Sequence, residues 1–403
     1  MGDEKSYDCV VVGGGISGVT FAYYLNKAGK EVLLLDDKLK AGGQIQTGQS
    51  VANPDYRFEM GAHTCYNSYI HLLSIVDEMG WRDFVQPLAK HGYVVYAQNK
   101  IKTIFSELSV LQMIPSCFKC FSANKTKKTV SQFFRPIVGG KNYDRLFRYA
   151  FSAVICQPAD DYPAEIFLKK RNTRDKTFPR KFSFKQGFSS FIDLILNECK
   201  IENVQSSEIL NIDRKNGLFV LNAKDGKRYQ SKNISLATDP KTSSSLLTEI
   251  DPEISSSLST IPLFHSESLN VIISKDKLNI KETAGIINLS DEFMSAVSRD
   301  LIPDERFRSF TFHFKKDTCK LPEKIHLICK VLGIHESDIT EQKQVEHILP
   351  IRDLQSLDIE KNIDDLLKNK PVYLTGNYFK GLAIEDCITR SKCEAERFLT
   401  NNK

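Results

Sequence analysis

The run Tyr7-Asp8-Cys9-Val10-Val11-Val12-Gly13-Gly14-Gly15-Ile16-Ser17-Gly18 constrains this chain more than any other segment. Its apolar stretch from Cys9 to Val12 reads as a strand, and Gly13, Gly15 and Gly18 fit the spacing G-x-G-x-x-G. An amphipathic helix is expected next, with Val19, Ala22, Tyr23 and Leu25 as its apolar positions. A second strand, Glu31 to Leu35, then ends on Asp36 and Asp37. Each part has a task in holding a dinucleotide. Gly13 permits the tight turn, Gly15 lets backbone approach a pyrophosphate, and Gly18 lets helix and strand pack closely. The bare helix start at Ile16 and Ser17 offers N–H donors and the positive end of the helix dipole to phosphate. Asp36 sits where an acidic side chain would take ribose hydroxyls. The whole unit carries this reading, because a glycine triplet alone is a weak signal.

The fingerprint serves nicotinamide and flavin cofactors alike, so the choice falls to other segments. Lys40-Ala41-Gly42-Gly43-Gln44-Ile45 places a second glycine pair where backbone must pass close to something flat or phosphorylated. Tyr56-Arg57-Phe58-Glu59-Met60-Gly61-Ala62-His63 then reads as a short strand running into small residues. Near the other end, Pro371 to Gly381 reads as strand, glycine turn (Gly376-Asn377), aromatic pair and second glycine. A helix is expected from Leu382 to Phe398, with Ile384 and Ile388 four apart, Glu385 and Asp386 in its first turn and Arg397 in its last.

A chain of 403 residues is too long for one compact core and suits two or three domains. The mild net charge of +5, mixed along the sequence, gives no reason to expect nucleic acid. No stretch reaches the eighteen or so apolar residues of a membrane-spanning helix, and Met1-Gly2-Asp3-Glu4-Lys5 lacks the character of a secretory signal. Ten cysteines without pairing spacings point to a reducing, cytoplasmic setting. Cys117-Phe118-Lys119-Cys120 has no second pair, so no metal site is expected.

An α/β fold with a discontinuous Rossmann-like domain is expected over 1–85, 187–240 and 346–403, with a mixed α+β substrate-binding domain over 86–186 and 241–345. In the first, a helix from Gly187 to Cys199 precedes a strand at Asn203-Val204-Gln205. A hairpin then spans Ile209 to Tyr229, with turns at Asn216-Gly217 and Asp225-Gly226, and a short strand runs from Ile234 to Pro240. In the second, Ser268 to Ile273 and Arg306 to Phe314 read as strands, the latter alternating aromatic and polar residues. Residues 106–128 carry apolar side chains followed by lysines. They suit either a peripheral membrane contact or a buried helix beside a solvated loop, and both readings stand.

These segments together resemble the FAD-dependent amine oxidase superfamily, with Gln44 in place of the arginine usual after the glycine pair. The Gly376-Asn377-Tyr378-x-x-Gly381 turn is most similar to the protoporphyrinogen oxidase branch, including forms that act on coproporphyrinogen. The resemblance implies FAD as cofactor, held by Gly13, Gly15, Ile16, Ser17, Gly18, Asp36, Asp37, Gly43 and Gln44. It also implies Gly61, Ala62 and His63 beside the flavin ring, and Val204 and Ala237 near the adenosine end. Gly376, Asn377, Leu382, Ala383 and Ile384 would close the site. It implies oxidation of a porphyrinogen to a porphyrin, a small-molecule substrate, by hydride transfer to flavin N5 with oxygen as acceptor. The alternatives are an amine oxidase, a polyene desaturase, a UDP-sugar mutase or a non-catalytic scaffold. The chemistry would be the flavin's, so no side chain is assigned an acid–base role. His63 and Asn377 are the candidates, with orientation or packing the expected role of His63. Lys90, His91 and Lys102, flanking the strand Tyr93 to Tyr96, are candidates for a substrate carboxylate, since no arginine occurs there.

Overall fold

The apolar run after residue 6 is buried on both faces, as a central parallel strand must be. In a computed structural model describing residues 5–111 and 124–402, Ser6–Val12 lies between Val32–Leu35 and Arg228–Leu236, parallel to both. Glu202–Val204 extends this sheet beyond Val32–Leu35, and Val372–Leu374 joins it against Arg228–Leu236. The antiparallel strands Leu218–Ala223 and Ile209–Lys215 complete seven. Strands from three distant stretches thus build one sheet, the expected discontinuous Rossmann-like form. The strand expected at Ile234 is not separate: it continues the third strand of the hairpin, whose first half pairs with Leu218–Ala223 and second half with Val372–Leu374.

Alternation decides what covers each face. Cys9, Val11 and Leu34 pack with the helices Ile16–Lys27, Ile70–Glu78, Ser189–Glu198 and Ile384–Asn401. Val10, Val12, Leu33 and Leu35 pack with Pro240–Leu247, Pro252–Ser259 and Leu354–Leu367. Asp239 and Asp251 cap the first two of that second group through their side chains, so the serine-rich stretch from Thr242 to Ser259 forms two helices.

A second seven-stranded sheet runs in the order Ile339–Pro350, Leu263–Ser274, Phe307–Lys315, Ser295–Ser298, Gly285–Asn288, Tyr93–Ala97, Lys100–Thr103. The boundary expected near 346 falls inside its first strand. The alternation read in Arg306 to Phe314 separates two faces. Phe310, Phe312 and Phe314 pack under the helix Leu321–Leu332. On the other face, Thr311 donates its hydroxyl to the Glu59 carbonyl at 2.8 Å, and Phe307 packs with Tyr56, Phe58 and Met60. This sheet therefore sits directly against the Glu59–His63 segment.

Candidate functional site

The glycine turn after Ser6–Val12 is packed as its three glycines require. A Cβ on Gly13 would stand 2.7 Å from the Ala237 carbonyl oxygen, at the end of the neighbouring strand, and Gly13 has φ +107°. Around Gly15 the nearest atoms to a built Cβ are the Gly43 Cα at 3.7 Å and the Gly42 oxygen at 4.0 Å. That glycine faces an opening. The helix Ile16–Lys27 starts from Gly15 with no side-chain cap, which leaves its first N–H groups for a ligand.

Asp36 is buried and shapes the same turn. Its Oδ2 accepts from the Gly14 amide at 2.5 Å and its Oδ1 from the Lys38 amide at 2.8 Å. Burial raises its pKa, while those two amides oppose the rise. Asp37 is paired with Lys38 at the surface. The Val204 carbonyl accepts from the Asp36 amide at 3.0 Å, so of the backbone groups assigned to the adenosine end, this one is already engaged.

The second glycine pair lies across from the first turn, with Gly42 donating its amide to the Gly14 carbonyl at 2.9 Å. The Glu59–His63 segment then crosses it so closely that a Cβ on Gly61 would come within 2.0 Å of the Gln44 carbonyl oxygen. Ala62 is exposed and His63 half-buried, with its Nδ1 at 2.8 Å from the Gly61 carbonyl. Glu59 turns inward instead, accepting from the Phe188 amide at 2.8 Å and the Thr47 hydroxyl at 3.0 Å. Burial raises its pKa, and the charge of His63 opposes the rise.

Sequence reasoning missed the histidines that the second sheet brings here. His347 reaches from Ile339–Pro350 to the Gln44 amide (Nδ1, 2.7 Å) and the Met60 carbonyl (Nε2, 2.9 Å). Burial lowers its pKa, which favours a neutral ring. Nε2–H then donates to Met60, and Nδ1 must accept, so Gln44 turns its amide nitrogen toward the ring. Gln44, standing where the family places arginine, is thus held by a neutral partner. His313 follows the same logic: its Nδ1 lies 2.9 Å from the Ser268 hydroxyl, and burial pushes its pKa down to about 3. Both histidines sit at ordinary strand positions more than 250 residues from Met60 and Gly61, so no local signal marks them.

Gly376 and Gly381 bracket the closing turn. A Cβ on Gly376 would meet the Tyr378 ring at 2.5 Å, and one on Gly381 would meet the Asp386 carboxylate at 2.5 Å. Arg390 lies 3.8 Å from the centre of the Phe379 ring and donates from Nε to the Leu374 carbonyl at 2.9 Å, fixing the turn from below. The helix Ile384–Asn401 starts from Ala383 with no side-chain cap, and Asn377, Leu382 and Ala383 are partly exposed before it. Ser391 donates to the Ser17 carbonyl at 2.7 Å, which ties this helix to Ile16–Lys27.

Glu385 in that first turn accepts from the His71 amide at 2.8 Å and the Leu72 amide at 3.2 Å, and burial pushes its pKa up to about 7. The folded chain therefore binds this proton more tightly than the unfolded chain. Its stabilising contribution is present below about pH 4.5 and is lost as pH rises toward 7. In urea titrations, the stability of the Glu385→Gln variant relative to wild type should increase by about 3 kcal/mol between pH 4.5 and 7.5. A constant difference across that window would show that the carboxyl titrates normally.

The proposed carboxylate anchors behave differently from expectation. Lys102 is bonded to Glu107 and Gln98, His91 lies 3.6 Å from Glu282, and Lys90 is exposed. Instead, a cavity of about 390 Å³, its open mouth included, is lined by Phe58, Glu59, His63, Leu88 and the Val297–Ile302 stretch, with Arg299 among them. Most of residues 106–128, with the Cys117/Cys120 pair, lies outside the described residues. Among the described residues, no helix is long and apolar enough to cross a membrane.

Comparison with known proteins agrees with this geometry. A family model of NAD(P)-binding Rossmann-like domains matches residues 11–79. A protein of Dictyostelium discoideum, provisionally named flavin-containing monoamine oxidase A, is 34% identical over 104 residues, covering 24% of this chain and 22% of its own length. The match thus spans about a fifth of that relative. Among solved structures, a candidate protoporphyrinogen oxidase from Exiguobacterium sp. superimposes with TM-score 0.79 at 14% identity, covering 98% of both chains. A fatty acid isomerase from P. acnes that produces CLA superimposes with TM-score 0.76 at 14% identity, covering 97% of this chain and 98% of its own. The class is therefore a Rossmann-like dinucleotide-binding protein with a second mixed sheet. Its fold is that of the FAD-dependent oxidoreductases.

Proposed function

We propose that this chain is an FAD-dependent oxidase that converts a porphyrinogen to a porphyrin. The observation that carries the cofactor is the opening at Gly15. There a glycine with room beside it, an uncapped helix start and the Gly42–Gly43 pair face one another, as the pyrophosphate of a dinucleotide requires. Ala62 and the Gly376–Gly381 turn would border the flat ring, and the uncapped start of Ile384–Asn401 would place N–H donors near it. Bound there, FAD would supply a hydride acceptor at N5 and pass electrons to dioxygen as peroxide, so a porphyrinogen would lose six hydrogens in three rounds. The chain's own contribution is to hold the substrate C–H at that face and keep water away. Phe58, Leu88, Val297, Leu301 and Ile302 give the adjoining cavity the apolar walls this needs.

Support for the porphyrinogen comes from the Gly376-Asn377-Tyr378 turn and from the full-length superposition on the Exiguobacterium protein. An amine substrate is the second reading, favoured by the match to the Dictyostelium protein. Purified protein mixed anaerobically with protoporphyrinogen IX or coproporphyrinogen III should lose its flavin absorbance while porphyrin fluorescence rises. An oxidised spectrum unchanged by both, but bleached by an amine, would replace the first reading with the second.

A further inference from the structure

The cavity beside Glu59 and His63 has apolar walls, yet two of its polar groups have no partner. Arg299, in the turn after Ser295–Ser298, donates from Nε to the Arg57 carbonyl at 2.7 Å and lies 4.8 Å from the centre of the Tyr56 ring. These contacts fix its guanidinium, but Nη1 is buried with no hydrogen-bond partner. From the Lys181–Phe184 strand, the Ser183 Oγ lines the same cavity and is likewise buried and unpartnered. Two orphaned groups on one cavity are costly unless a ligand completes them, because a buried N–H or hydroxyl without a partner costs about 1–3 kcal/mol.

The neighbouring arginine shows what a satisfied one looks like. Arg308 holds Asp300 through two nitrogens, at 2.8 and 2.6 Å, and gives further N–H groups to the Ile280 and Lys281 carbonyls. Arg299 has no such carboxylate. Glu59 lines the cavity too, but its two oxygens are already committed to Phe188 and Thr47.

We propose that Arg299 is the specificity-determining residue of this site: with Ser183 it receives a carboxylate carried on an apolar stem. The assignment rests on the adjoining groove being the reaction site. It selects acids over amines, since a cation brought against this guanidinium would be repelled in a poorly solvated place. The stem would lie along Phe58, Leu88, Leu301 and Ile302, and the acid would enter past His63.

Calorimetric titration of the purified holoprotein with decanoate and with decan-1-ol tests this directly. Decanoate should bind wild type at least about tenfold more tightly than the alcohol. Arg299→Gln should weaken decanoate by about ten- to a hundredfold, Arg299→Lys should recover part of that, and decan-1-ol should not change. With coproporphyrinogen III, Arg299→Gln should raise KM by a similar factor and alter kcat less. Should Arg299→Gln fail to fold, Ser183→Leu fills the cavity while leaving the guanidinium in place, and it should abolish decanoate binding. Equal binding of acid and alcohol, or decanoate affinity indifferent to both variants, overturns the assignment. A colourless protein that still binds decanoate through Arg299 overturns only the flavin reading. A yellow protein indifferent to Arg299→Gln overturns only this one.

Discussion

Gly15→Val is expected to give a folded, colourless protein. Gly15 has φ −71° and ψ 177°, a conformation open to any L-residue, so the substitution meets no backbone strain. Its Cβ would find no atom closer than the Gly43 Cα at 3.7 Å, so the turn can absorb the side chain. The space it would fill is the space through which a pyrophosphate must approach the helix N-terminus. Two methyl groups there would keep the phosphate from its N–H donors. Affinity for FAD should fall by at least about a thousandfold, or about 4 kcal/mol. The measurement is the 450 nm absorbance of purified variant against wild type, with circular dichroism and the melting temperature as folding controls. A yellow Gly15→Val protein would mean that the cofactor does not lie over this turn.

Gly18→Val, three residues on, should behave in the opposite way. A Cβ there would stand within 1.9 Å of the Gly13 carbonyl oxygen, and 3.1 Å from the Ala237 side chain. The first is backbone inside a turn, locked by the Gly13 amide donating to Leu35 at 2.8 Å. It cannot step aside without separating the helix Ile16–Lys27 from the central strand. A loss of about 4 kcal/mol or more is expected, which is much of the stability of an ordinary domain. Most of the variant should be insoluble or melt early, with or without added FAD. A Gly18→Val protein as stable as wild type would contradict the packing of this turn. The two variants together separate a glycine required by the fold from one required by the ligand.

The N-terminal unit and the closing turn were legible because their signals are local. Gly13, Gly15 and Gly18 act on one another across a few bonds, and the alternation of Phe310, Phe312 and Phe314 needs only the period of a strand. The same locality accounts for the errors. Ile234 to Pro240 read as a separate strand because the sequence does not say that Arg228–Leu236 changes partners halfway along. Lys90, His91 and Lys102 looked like free cations because Glu282 and Glu107, which engage two of them, are placed by the fold.

By itself, then, the sequence determined the nucleotide-type turn, the second glycine pair, the terminal glycine turn and the two-sheet α/β class. Each depends on steric limits that a few consecutive residues impose on backbone. Only the tertiary structure decided that His347 holds Gln44, that His313 is buried neutral, and that Arg299 rather than a lysine faces the cavity. Those outcomes depend on which side chains a second sheet brings against Glu59–His63 and on how far burial removes them from water. Both are properties of the packed chain, set by contacts hundreds of residues apart.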